Sequence, residues 1–100
     1  MSAFIIADVA VEDLDAYRAS GYLEAVPEIA ARHGGRYRAR GGASETLEGE
    51  WVPARLVVIE FPDVERLRAF WNSDEYAPWR AVRERLARSR IVATEGLDET

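Results

Sequence analysis

Residues 35–61, GRYRARGGASETLEGEWVPARLVVIEF, decide how the rest of the chain is read. Arg36, Arg38 and Arg40 alternate with Tyr37 and Ala39, the two-residue period of a strand, and this spacing puts the three arginines on one face. Gly41-Gly42 permits a bulge or bend, after which Ala43–Leu47 can continue as strand. Glu48-Gly49-Glu50 reads as the turn. The return strand is expected over Trp51–Phe61, with Pro53 tolerated near its start. Its end, LVVIEF, is apolar on both faces.

Working outward, AFIIADVAV at residues 3–11 is a second strand apolar on both faces, apart from Asp8. Such strands belong in the middle of a covered sheet. Asp13 is the expected cap of a following helix, with Asp15 in its first turn and Gly34-Gly35 at its end. Tyr22, Val26, Ile29 and His33 recur at helical spacing along its buried stripe. Gly21 and Pro27 interrupt this helix, and because proline lacks a backbone donor a kink or short break is expected near Glu24–Pro27. Beyond the hairpin, Pro62-Asp63 stops the strand and caps a helix that buries Val64, Leu67, Phe70 and Trp71. Asn72-Ser73-Asp74 reads as a break with a fresh cap. In the helical segment Glu75–Ala87, Tyr76, Trp79, Val82 and Leu86 face inward, while Arg80, Arg83, Glu84 and Arg85 lie mostly outside. Arg90–Glu95 is the last strand. Residues 1–96 are expected to form one domain, and 97–100 to fray.

The order is β-α-β-β-α-β, with the two wholly apolar strands central and the mixed strands at the edges. An α+β fold follows: a four-stranded antiparallel sheet in the order 4-1-3-2, the ferredoxin-like split βαβ arrangement. Right-handed crossovers place both helical segments on one face of it. The helix-free face still carries Ile, Val and Phe, more apolar surface than a monomer usually exposes. A second copy packed sheet to sheet is the expected cover, making the protein its own partner in a homodimer.

With 48% hydrophobic and 31% charged residues among 100, the chain has the composition of an ordinary globular domain. A net charge of -5 opposes binding to nucleic acid or to an anionic membrane. Without cysteine there is no thiolate nucleophile, zinc-thiolate site or iron–sulfur cluster, and a single histidine cannot build a multi-histidine metal centre. Neither metal nor cofactor is expected. The start MSAFIIADV lacks the basic region of a signal peptide, and no apolar run is long enough to span a bilayer, so a cytoplasmic location is expected.

Seven residues stand out as site candidates. His33, at the end of the first helix, either favours the negative end of the helix dipole or serves as an acid–base group at a pocket rim. Arg40 can hold a carboxylate where the glycine bend re-aims side chains, and Arg38 can do the same or simply keep an edge strand soluble by pairing with Glu45, Glu48 or Glu50. Asp8 and Glu60 are acids in apolar central strands, where each needs a partner or a proton. They lie toward opposite ends of neighbouring strands, which argues against a catalytic pair, and Asp8 is placed to meet a residue near Arg55. Trp51 and Tyr76 can line an aromatic cavity, and a helical aromatic stripe also serves as core. The chain holds no phosphate-binding loop, GxSxG, HExxH or dinucleotide fingerprint.

Five segments carry a resemblance: FIIADVAV (4–11), GGRYRARGG (34–42), LEGEW (47–51) followed by Pro53, LVVIEFPD (56–63) and SDEYAPWRAVRERL (73–86). On these the chain resembles domain-of-unknown-function family 1330, within the dimeric α/β-barrel superfamily. The resemblance implies the fold and dimerisation, but no particular activity. The wider superfamily includes small cofactor-free monooxygenases, lactone isomerases, dehalogenases and stress-response proteins. Two functions from different classes fit. One is a cofactor-free enzyme, or a binder, acting on a small apolar or aromatic acid in a pocket between sheet and helices. The other is a non-catalytic interaction or structural dimer.

Overall fold

In the computed structural model, which describes residues 1–97, β1 (Ala3–Val11), β2 (Arg36–Arg40), β3 (Leu56–Phe61) and β4 (Ala87–Glu95) form one antiparallel sheet. Its order, β2-β3-β1-β4, is the 4-1-3-2 arrangement read from the sequence. Asp98, Glu99 and Thr100, most of the tail expected to fray, lie outside the described residues.

The helices α1 (Leu14–Ala19), α2 (Tyr22–Arg32), α3 (Val64–Trp71) and α4 (Ala77–Leu86) cover one face of the sheet. Ala3, Ile5, Ala7 and Val9 of β1 and Val57, Ile59 and Phe61 of β3 point into that layer and are buried against Val26, Ile29, Leu67 and Phe70. The alternate residues point away from the helices, and Phe4, Ile6, Leu56 and Val58 remain half-buried, with no helix over them among the described residues. None of the described helices is long and apolar enough to cross a membrane.

The caps behave as their chemistry requires. Asp13 accepts a hydrogen bond from the Ala16 amide at 3.1 Å and Asp63 from the Arg66 amide at 2.8 Å, satisfying donors at the starts of α1 and α3. Ser73 bridges the α3–α4 break, donating to the Phe70 carbonyl and accepting from the Tyr76 amide.

Four features differ from expectation. First, of the two expected interruptions only Gly21, whose φ of +88° suits glycine, breaks the first helical segment, while Pro27 lies inside α2. Proline leaves the Leu23 carbonyl without its helical donor, and Arg40 Nη2 fills the gap at 2.7 Å, so the helix continues through Pro27. Second, residues 43–47 are not strand, and β3 begins only at Leu56; Gly41 to Arg55 is an exposed arm, bent at Leu47–Glu50 and strapped back to the sheet near Trp51. Third, pairing between β2 and β3 shifts between Tyr37 and Ala39, where an extra residue bulges. Alternation reverses there, so Arg40 stands opposite Val57 on the helix-covered face, with Tyr37 and away from Arg36. Fourth, β4 starts at Ala87, because β1 is long enough to pair with it from Val11 back to Ala3.

Candidate functional site

Between the sheet and the helices lies a cavity of about 50 Å³, walled by Ile5, Ala7, Val57, Ile59 and Val26 and by the aromatic rings of Tyr17, Tyr22, Tyr37, Phe70, Trp71 and Tyr76. Its charged lining consists of Arg40, Arg55 and Arg83, with no Asp or Glu. Beyond Trp71, a shallow groove along α3 and β4 shares Ile5, Trp71 and Ile91 with it.

Arg83 is the central residue of this wall. Only 5% of it is exposed, and its nearest polar neighbours are phenols. Arg83 Nε reaches the Tyr76 hydroxyl at 3.4 Å, a long and weak hydrogen bond, while the Tyr76 and Tyr22 hydroxyls lie 2.9 Å apart. Among the described residues no carboxylate is within ion-pair distance of Arg83, Arg40 or Arg55. Burial works against the charge on Arg83, but the phenols of Tyr76 and Tyr22 more than offset it, so the guanidinium stays charged.

Tyr37, Tyr22 and Tyr17 stay protonated. Burial drives Tyr37 up to about 12, and burial together with the adjacent Tyr76 raises Tyr22 well above its ordinary value. Burial also raises Tyr17. In the Tyr22–Tyr76 pair one phenol donates to the other, so one O–H is left over. The cavity therefore presents guanidinium and phenol donors without a protein anion to receive them. A carboxylate in an apolar body complements that inventory.

The sequence candidates fall in three places. Arg40 and Tyr76 line the cavity. Tyr76 is nearly fully buried, stacked on Phe70 with ring centres 4.7 Å apart. His33 caps α2 outside the cavity lining; its Nε2 is buried without a hydrogen bond and lies 3.9 Å from Glu75 Oε1.

Asp8, Trp51, Arg38 and Glu60 are on the other side of the sheet. Asp8 Oδ1 accepts from the Ala54 and Arg55 amides, and Oδ2 from Trp51 Nε1 at 2.9 Å and from Arg90. Four donors fill its acceptor capacity, and the Trp51 hydrogen bond leads the causes that hold its carboxyl below the ordinary carboxylate value. Asp8 is thus the anchor of the arm, and the expected neighbour near Arg55 is that residue's own backbone. Arg38 pairs with Glu60 at 2.8 Å, in place of Glu45, Glu48 or Glu50.

Arg83, Arg55, Tyr22 and Tyr37 were absent from the candidates. For Arg83 a signal existed: it follows Tyr76 by seven residues, two helical turns, which places both on one face of α4. Its charge alone argues for the outside of the helix, whereas the structure buries it.

The fold is that of an α+β, ferredoxin-like domain, with an aromatic chamber under its helices. The chain belongs to the family Domain of unknown function (DUF1330), whose model matches residues 2–97. Among solved structures it is similar to a protein of unknown function from Rhodopseudomonas palustris, at 19% identity over 97% of this chain and 83% of that one, with a TM-score of 0.67. It is also similar to SnoaB, a cofactor-independent oxygenase from Streptomyces nogalater, at 15% identity over 97% of this chain and 94% of that one, with a TM-score of 0.65. At these identities the likeness establishes the fold. No curated protein matches the chain.

Proposed function

We propose that this protein is a cytoplasmic homodimer whose cavity binds, or converts without a cofactor, a small apolar or aromatic carboxylic acid. The observation that carries this reading is Arg83: a buried guanidinium facing phenols, in a chamber whose walls supply no anion. Burying a charge without its partner is costly, so the position makes physical sense if a ligand brings the negative charge. SnoaB, a cofactor-independent oxygenase on the same fold, supports an enzyme by analogy only. Of the two catalytic candidates, Arg40 is favoured over His33, because it borders the cavity.

At about 50 Å³ the free space is of the size that a few water molecules would fill, so an aromatic acid needs the lining side chains to shift. Calorimetric titration with benzoate and with its uncharged amide separates charge from shape. Benzoate is expected to bind and the amide not, and Arg83→Met is expected to weaken benzoate at least about tenfold, in line with loss of a charge-assisted pair. Equal responses to acid and amide, or an unchanged affinity in Arg83→Met, would refute the reading.

The second reading, a dimer module without chemistry, is supported by a different observation. Phe4, Ile6, Leu56 and Val58 face away from the helices uncovered, and Leu47, Val52 and Trp51 on the arm are exposed by 89%, 77% and 51%. Surfaces of this kind suit a protein partner.

A further inference from the structure

We propose that the ligand of this cavity is a dicarboxylate, with one acid group met by Arg83 inside and the other by Arg40 and Arg55 at the mouth; this rests on the acid-binding role proposed above. The three guanidinia lie at different depths: Arg83 is buried, Arg55 half-buried and Arg40 exposed, yet all line one chamber. A single carboxylate held by Arg83 would leave the outer pair without a counter-charge.

Dedicated backbone features place the outer pair. The β2 bulge turns Arg40 onto the cavity face, and the carbonyl that Pro27 leaves free in α2 holds its Nη2. Arg40 also lies over the Tyr37 ring, 5.5 Å from its centre. Arg55 runs past Gly41, where φ is +72° and an added Cβ would sit 2.5 Å from Arg55 Nε. A glycine is needed there for both reasons, and its absent side chain is the space the Arg55 guanidinium occupies.

Nor is the missing counter-charge a matter of scarcity. The chain has 18 acidic residues against 13 basic ones. Arg38, Arg88 and Arg90, elsewhere on the sheet, each meet a carboxylate. Glu45, Glu48 and Glu50 sit on the arm between Arg40 and Arg55 in sequence, but none comes within ion-pair range of either. Two like charges gathered at the rim of an apolar chamber repel, and an incoming anion relieves that repulsion.

The test compares p-toluate with terephthalate, nearly the same shape with one acid group or two, by calorimetry at low salt. Terephthalate is expected to bind about tenfold tighter than p-toluate, the discrimination a second charge-assisted contact supplies. In the double variant Arg40→Met/Arg55→Met that ratio is expected to fall to about one. Gly41→Ala, which displaces Arg55 without removing a charge, is expected to lower the ratio as well. Arg36→Met, on the opposite sheet face, should leave it as in the unsubstituted protein.

Equal affinity for both probes, with Arg83→Met still weakening each, overturns the dicarboxylate and leaves the single-acid site standing. A preference for terephthalate that survives in the double variant overturns the assignment to Arg40 and Arg55. Binding of neither probe overturns the dicarboxylate together with the acid site it rests on.

Discussion

Arg83 and Asp8 show the same chemistry resolved in opposite ways. Asp8 is a buried carboxylate with every lone pair spoken for by Ala54, Arg55, Trp51 and Arg90, so its charge belongs to the fold. In Asp8→Asn the amide would point a donor at donors, and a loss of about 1–3 kcal/mol is expected in urea denaturation at neutral pH. The pH dependence follows from the sign of the shift. The folded-state value lies below 3.8, so the stabilisation is fully present above the unfolded-state value and is lost as pH falls through the depressed one. The gap between wild type and Asp8→Asn is therefore expected to be constant from pH 7 to pH 5 and to narrow below about pH 4. Arg83 has no such set of partners. Arg83→Met removes a buried charge but keeps the shape, and is expected to be neutral or stabilising by about 1–2 kcal/mol while acid binding weakens at least about tenfold. A variant that is more stable and less able to bind is the mark of a residue kept for a ligand.

At the scale of the elements, Pro27, the β2 bulge and the arm act together. Pro27→Ala restores the amide that the Leu23 carbonyl lacks, so a net gain of roughly 1–2 kcal/mol is expected in denaturant melts, the recovered helix bond outweighing the added freedom of the unfolded chain. It also removes the anchor of Arg40, so the preference for terephthalate over p-toluate should decline in calorimetry. These couplings explain what the sequence did and did not disclose. The central strands were legible because FIIADVAV and LVVIEF bury both faces, which only a middle position explains. The caps Asp13 and Asp63 were legible because their donors are local. The placement of Arg40 was not, since a bulge reverses alternation through one unpaired residue and has no composition of its own here. The continuity of α2 through Pro27 was not legible, because the compensating donor for the Leu23 carbonyl comes from a residue far along the chain. Residues 43–47 carried a strand-like pattern, but no neighbouring strand pairs with them, and pairing is what stabilises a strand.

The whole molecule has one sheet face closed by helices and one left open. Ile6, Val58 and Val92 stand side by side in the register on the open face, with Val92 61% exposed, and Phe4 and Leu56 flank that row on β1 and β3. A homodimer formed through this face is expected to scatter light at twice the chain mass, with a melting temperature that rises with protein concentration. Val92→Lys places a charge in the middle of that contact and is expected to shift the mass toward the monomer without unfolding the subunit, because the position is exposed in the single chain. The cavity lies on the other side of the sheet, and what it holds is the centre of the account. The most direct measurement is an NMR titration of the protein labelled at arginine nitrogen, following each Nε–H signal as p-toluate is added. A saturable shift of the Arg83 signal, with Arg36 unmoved, is expected of an acid seated on a buried guanidinium. If Arg83 stays still while only exposed arginines drift in proportion to the added salt, the chamber is not an acid-binding site.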